Sequence, residues 1–201
     1  MCSSDLAAVR TSPTLPAIER YTGVLYDALD VRTLTRAQRG RAGRRLAVGS
    51  ALFGVVRADD PIPAYRLSAG SSLPGLPSLR ALWRPVLAPA LAADGGLVVD
   101  LRSGAYADLA PVPGAVTVQV LSRQPDGSRV VVSHFNKAHK GRLARLLATT
   151  TGEPDGVVRL RARASRPLCA LLKWLTTTRL PSGCRLSTWT VTAPGTGARS
   201  A

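Results

Sequence analysis

The run from Val130 to Arg145, VVVSHFNKAHKGRLAR, constrains this chain most, because its two halves demand different backbones. Val130-Val131-Val132 is short and β-branched, as a buried strand should be. The residues that follow are spaced as a helix over 137–149. Leu143, Leu146 and Leu147 then share one face, and Lys137, Gly141 and Arg145 lie on the opposite one. Lys140 and Arg142 flank that basic stripe. Asn136 stands where its side-chain oxygen can accept a free first-turn N–H, so it reads as the N-cap. A helix N-terminus with two lysines beside it is a suitable place for an anion. Gly141 is the odd member, since mid-helix glycine costs ~1 kcal/mol relative to alanine. Its use would be to let a ligand or another backbone come close. The plainer alternative is a solvated basic helix face.

Upstream, the pattern predicts an α/β chain with a mixed sheet and flanking helices. Residues 17–30 are helix-compatible but broken at Gly23. Thr33 to Leu46 reads as a basic surface helix with Gly40 and Gly43 inside it. Ala51 to Val56 reads as a buried strand, and Pro61 and Pro63 force extended backbone before Tyr65. Ser78 to Ala93 is a helix interrupted or kinked by Pro85 and Pro89. Asp94-Gly95-Gly96 is a turn, Leu97 to Leu101 a strand, and Ser103 a cap for a short helix to Leu109. Ala115 to Leu121 and Arg129 to Phe135 are strands joined through Pro125-Asp126-Gly127-Ser128, a hairpin signal that rules out a purely parallel sheet.

Charge needs care here. The net charge of +15 points ordinarily to a polyanion partner. Yet arginine outnumbers lysine 24 to 3 amid abundant Ala, Gly and Pro, as in any GC-rich genome. Eight basic and no acidic residues follow Asp155, so more than half of the excess lies in the last 46 residues. Residues 1–6, MCSSDL, read as a non-native leader. Residues 7–160 read as one domain, incomplete at its N-terminus. Residues 161–201 read as a divergent basic tail, with a frameshift near 160–165 as the competing explanation. No apolar run reaches the ~20 residues of a membrane span. Cys2, Cys169 and Cys184 form no ligand cluster or disulfide framework, which fits a reducing cytoplasm.

Several residues could line a polar site. Tyr21-Thr22-Gly23 joins a phenol, a hydroxyl and a permissive glycine, against the plain alternative of a turn with a half-buried Tyr. Ser50 follows Gly49 at a predicted strand end, against tight strand packing. It is no phosphate loop, because no Gly-Lys-Ser/Thr follows. Tyr65 can stack on a base and Arg66 can fork a phosphate, against an aromatic anchor beside a surface Arg. Arg57, Asp59 and Asp60 suit a local ion-pair cluster. Asp100, Arg102, Ser103 and Tyr106 sit where a strand turns into a helix. His134 and His139 straddle the later strand–helix junction without a carboxylate or Cys cluster, so neither a metal site nor a cofactor is expected. No nucleophile–His–acid triad is credible.

The Ser133–Arg145 stretch also resembles the strand–helix signature of the YaaA family. PAIERYTGVLYDALD at 16–30, GSALFGVVRADDPIPAYRLS at 49–68, LRALWRPVLAPAL at 79–91 and VVDLRSGAYADL at 98–109 agree in the same order. The resemblance covers roughly residues 7–150. It implies a cytoplasmic α/β protein of peroxide stress that limits free intracellular iron and binds DNA, with no defined reaction. The chain has Arg57-Ala58-Asp59-Asp60 where the family usually has Arg-Pro-Leu-Asp, which leaves the acid's register open.

Two functions follow as expectations. The first is a monomeric, non-enzymatic stress protein that binds double-stranded DNA through a basic cleft, using Lys137, Lys140, Arg142, Arg145, Arg57 and Arg66. An aromatic content of 4% argues against an extended single-strand stacking platform. The second is an enzyme acting on a nucleobase, nucleotide or other small anion in a pocket of Tyr21, Thr22, Gly23, Ser50, Tyr65, Arg102, Ser103, Tyr106, His134 and Asn136.

Overall fold

The computed structural model describes residues 6, 8–93, 97–123, 126, 128–131, 136–152 and 188–193. Strand β1 (Thr14–Pro16) leads into two short helices, α1 (Ala17–Arg20) and α2 (Val24–Leu29), and then α3 (Arg36–Arg45). Strands β2 (Ala47–Ser50), β3 (Gly54–Arg57) and β4 (Pro61–Pro63) follow, then α4 (Leu79–Ala92), β5 (Val99–Asp100) and α5 (Gly104–Ala107). Strands β6 (Val116–Arg123) and β7 (Arg129–Val131) precede α6 (Asn136–Thr149), and β8 (Thr188–Ala193) comes last.

The α/β class is as expected, but the strands divide into three small sheets. β1 pairs antiparallel with β4, and β2 antiparallel with β3. The third sheet is mixed around β6, parallel to β5 and β8 and antiparallel to β7. β6 shows why it forms. Val116, Val118 and Val120 are buried while Thr117 and Gln119 are exposed, the period of two that gives a strand one apolar face. Leu143 and Leu147 of α6 cover that face, with Leu97, Val99 and Leu101 beside them. A second core joins Ile18, Leu29, Val48, Ala58 and Ala144, and a third joins Ala51, Leu67, Leu79 and Leu109.

The helix expected over 17–30 is split at Gly23, whose φ of 114° only glycine adopts comfortably. Two expected boundaries move. Ala51 to Val56 is not one strand. Ala51-Leu52-Phe53 is the turn of the β2–β3 hairpin, and Gly54 resumes the strand at φ 76°. Trp83 and Leu87 press on Gly54 so closely that a Cβ would stand 2.9 Å from both side chains. Helix α3 is capped by Thr35 rather than Thr33, because Thr35 and Gln38 form a reciprocal capping box. Thr33 instead bonds the carbonyl and carboxylate of Asp30.

Helix α4 starts at the Ser78 cap and runs on through Pro85 and Pro89, both on its exposed side. The strand expected over 97–101 shrinks to Val99–Asp100, and Ser103 precedes α5 without a side-chain capping bond. β6 and β7 form the expected hairpin. Ser128 N–H donates to Asp126 Oδ1 at 2.8 Å in its turn. The 94–96 turn, residues 132–135 of the predicted strand and most of the 161–201 tail lie outside the described residues. Among the described residues no helix is long and apolar enough to cross a membrane.

Candidate functional site

All four tyrosines of the chain converge on the seam between the second and third cores. Tyr21 ends α1 and Tyr26 lies in α2, and both pack on the second core. Tyr65 follows the stiff β4 segment, and Tyr106 lies in α5. These two pack on the third. The Tyr21 and Tyr26 rings stack with centroids 5.8 Å apart, and Tyr65 meets Tyr21 and Phe53 edge-on. Ser50, fully buried at the end of β2, accepts Phe53 N–H at 2.9 Å and bonds the Tyr65 hydroxyl at 2.7 Å. Tyr65 and Tyr21 hydroxyls are 2.5 Å apart. Burial pushes the Tyr21, Tyr26 and Tyr106 phenols up, and neighbouring phenols add to the shift, so all three stay protonated at neutral pH.

A second node adjoins this one. A Cβ on Gly49 would stand 3.0 Å from the Arg102 side chain and 3.7 Å from the Tyr106 ring, so the bare backbone there lets both lie flat on β2. Arg102 is fully engaged. Its Nε and Nη2 fork Asp100 at 3.0 and 2.8 Å, while Nη1 and Nη2 reach the carbonyls of Tyr106 and Ala110. Burial alone would raise the Asp100 carboxyl, but the bonds from Arg102 and the charges of Arg102 and Lys140 hold it below the usual range. Lys140 donates to the Arg102 carbonyl at 3.2 Å. Its ammonium is pushed down by burial and partly restored by Asp100.

The structure thus brings together Tyr21, Ser50, Tyr65, Arg102, Tyr106 and Lys140. It leaves Arg57, Arg66, Lys137 and Arg142 exposed, together with Thr22, Gly23 and Ser103. Among the described residues no hydrogen bond or ion pair ties those four cations to the tyrosine network. His139 is part-buried, and burial with the nearby Arg142 charge lowers its pKa. His134 lies outside the described residues. Asn136 stands inside the first turn of α6, and its buried Oδ1 has no hydrogen-bond partner among the described residues, so the expected capping bond is not made. Asp59 pairs with Arg39 rather than Arg57, and Asp60 accepts the Arg57 backbone N–H at 2.7 Å, so the expected Arg57 cluster does not form.

The Lys137–Gly141–Arg145 stripe is not a solvated face. Gly141 is buried against α2, where a Cβ would collide with the Leu25 carbonyl. The close approach that glycine permits is therefore made by another backbone. Arg145 donates to the carbonyls of Leu29 at 2.8 Å and Asp30 at 2.5 Å and to Thr33 Oγ1 at 2.8 Å, closing the end of α2.

Sequence reasoning missed Tyr26 and Phe53 as partners in the tyrosine network, although VLYDALD places Tyr26 in the first turn of α2. A shallow depression along the start of α4, lined by Ser78, Arg80, Ala81, Arg84 and Pro85, belongs to one helix and converges no chemistry. Among the described residues, no three His, Cys, Asp or Glu side chains gather as metal ligands.

Comparison with known proteins bears on the whole arrangement. The family model described as peroxide stress protein YaaA matches residues 3–161. A UPF0246 protein of Corynebacterium efficiens is 57% identical over 149 residues, covering 72% of this chain and 59% of the relative. One from Streptomyces coelicolor is 50% identical over 157 residues, covering 75% and 59%. One from Dinoroseobacter shibae is 34% identical over 147 residues, covering 68% and 55%. The chain therefore spans a little under 60% of the length of these curated relatives. A family-model match over residues 3–161, most of the chain, means that this chain belongs to the YaaA family of peroxide stress proteins.

Proposed function

We propose that the chain acts in peroxide-stress defence in the cytoplasm, limiting free iron and oxidative damage, with double-stranded DNA as its partner. The observation that carries the partner is the start of α6. Its first turn holds no acidic residue, Lys137 is exposed in it, and Arg142 is exposed in the next turn, neither with an acidic partner among the described residues. Cations at a helix N-terminus oppose the macrodipole, so this placement favours a bound anion. Elsewhere three acids are already matched, Asp100 by Arg102 and both Asp59 and Glu19 by Arg39. Exposed Arg57 and Arg66 add to the excess. Lys140 and Arg145 supply field rather than contacts, because each donates to backbone carbonyls. The tyrosines are drawn into their own network, which leaves backbone-led recognition of a duplex rather than base stacking.

Fluorescence anisotropy of a labelled duplex against salt tests this. Wild type should bind with log K falling linearly in log salt, and Lys137→Ala with Arg142→Ala should lower that slope by about 2, at ~0.9 per phosphate contact. Absent or salt-independent binding would refute it.

A second reading, recognition or turnover of a nucleobase, nucleotide or other small anion, is favoured by a separate observation. The Ser50–Tyr65–Tyr21 hydroxyls and the Asp100–Arg102–Lys140 node lie against one strand, β2, and carry one net positive charge. Titration of the 13C-labelled tyrosine signals with inorganic phosphate at constant ionic strength tests it: saturable shifts support the reading, and their absence refutes it.

A further inference from the structure

Helix α4 is apolar on two faces, and the described residues cover only one of them. Leu79, Trp83 and Leu87 recur every four residues and hold the helix down. Leu79 is buried in the third core, Trp83 and Leu87 press on Gly54, and the Trp83 indole N–H donates to the Ala51 carbonyl at 2.9 Å. A second row, Leu82, Val86, Pro89 and Ala93, follows at i, i+4, i+7 and i+11. It is exposed throughout, and Val86 stands 63% open. The helix holds no acid, and its only charges, Arg80 and Arg84, lie on the side away from this row.

A helix that covers one layer needs one apolar stripe and turns polar residues to water, whereas apolar residues on adjacent faces place a helix between two layers. The inner layer is also thin. The β2–β3 hairpin beneath α4 has no third strand among the described residues, and a lone pair of strands is marginal in water. The relatives supply the length for an outer layer. The 149 residues matched to the C. efficiens protein are 59% of it, which leaves about 100 residues of that chain outside the match, enough for several helices or strands. A membrane surface fits the row less well, because the one aromatic residue of α4, Trp83, is turned inward and bonded to Ala51 rather than set among Leu82 and Val86 as an anchor. We propose that the Leu82–Val86–Pro89 row is an interior face of the YaaA fold, and that the part of the relatives outside the matched stretch packs on it. Trp83 shares the third core with Tyr65 and Tyr106, so that part rests on the helix that backs the tyrosine seam.

The test is hydroxyl-radical footprinting, read residue by residue by mass spectrometry, on this full chain and on the intact C. efficiens relative side by side. Aligning the two sequences fixes the corresponding positions. In this chain Leu82 and Val86 should be oxidised as exposed side chains are. At the aligned positions of the relative, the rates corrected for side-chain type should be at least about fivefold lower, as when a side chain 63% exposed becomes buried. Val86→Asp should leave the urea midpoint of this chain unchanged, while an aspartate at the aligned position should lower that of the relative, where the charge would be buried. Equal oxidation in the two proteins overturns the proposal. So does protection in either protein that disappears on dilution together with a sedimenting dimer, which names a second copy as the occupant. Protection gained only with phosphatidylglycerol vesicles assigns the row to a membrane surface and overturns it as well.

Discussion

The two ends of helix α6 carry basic residues for opposite reasons. At its C-terminal end, Arg41 and Arg45 of α3 reach the last carbonyls. Arg41 donates to Thr149, and Arg45 to Leu147, Thr150 and Gly152, at 2.5–3.2 Å. Leu147 and Thr149 are among the last four residues of the helix and Thr150 and Gly152 lie just past it, and cations there complement the negative end of the dipole. At the N-terminal end, Lys137 faces the positive end in a first turn that holds no acid, and Asn136 Oδ1 has no hydrogen-bond partner among the described residues. Arginine used as a carbonyl cap is architecture, and it accounts for part of a basicity that gross charge would assign to DNA. Lysine against the dipole gains nothing for the helix, and this is where a ligand should be sought.

Breaking the architecture should have the largest effect. Gly141→Ala places a methyl against the Leu25 carbonyl and 2.8 Å from Ala28 Cβ. Overpacking of about 3 kcal/mol should exceed the ~1 kcal/mol gained in helix propensity. The urea midpoint should fall with an unchanged m-value, and a midpoint at or above wild type would show that α2 and α6 do not meet as described. Arg45→Ala comes next. It strips hydrogen bonds from several carbonyls at once, for a loss of about 2 kcal/mol, and Arg45→Lys should recover only part, because an ammonium lacks the fork that spans Leu147, Thr150 and Gly152. Full rescue by lysine would reduce the cap to a charge effect.

A pH effect sharpens the contrast at the other end. The Asp100 carboxyl is held below its unfolded value, so its contribution is complete above about pH 4 and is lost as pH falls through the lower folded value. Protonation removes the partner of Arg102, whose carbonyl receives Lys140, so acid should loosen the N-terminal docking of α6 first. Amide exchange between pH 5 and pH 3 should rise in residues 99–107 and at the start of α6 before it rises at 145–149. Uniform loss of protection would contradict a local effect.

Much of the architecture was legible because its causes are local. The alternation of Val116, Val118 and Val120, the break at Gly23 and the Pro125–Ser128 hairpin each follow from a few adjacent residues. What was not legible depends on partners distant in the chain. Arg45 meets Leu147 across 102 positions and Arg145 meets Leu29 across 116, and no spacing rule links them. Arg145 and Gly141 therefore read as a basic face when they are a cap and a contact. The tyrosine network was half legible. Tyr21, Tyr65, Tyr106 and Ser50 each stood out as a polar residue at an element end, but their hydrogen bonds depend on how the second and third cores meet. Ala51–Phe53 was misread because an apolar tripeptide in a tight turn has the composition of a strand.

The smallest effect is the most discriminating. Lys137 is exposed in the first turn of α6, where its charge repels the helix dipole and meets no acid among the described residues. Replacing it with alanine removes that repulsion and introduces a better helix former, so the protein should gain about 0.3–1 kcal/mol in stability at low salt. The same change should remove one phosphate contact from duplex binding. Stability and affinity would then move in opposite directions on a single substitution, as expected where a residue serves a ligand at the helix's expense. Arg145→Ala should move them differently, losing stability with the α2 cap while leaving the salt slope unchanged, because its donors already rest on Leu29, Asp30 and Thr33. If Lys137→Ala loses stability instead, or if Arg145→Ala lowers the slope as much as Lys137→Ala does, the division of α6 into an architectural end and a ligand end is wrong.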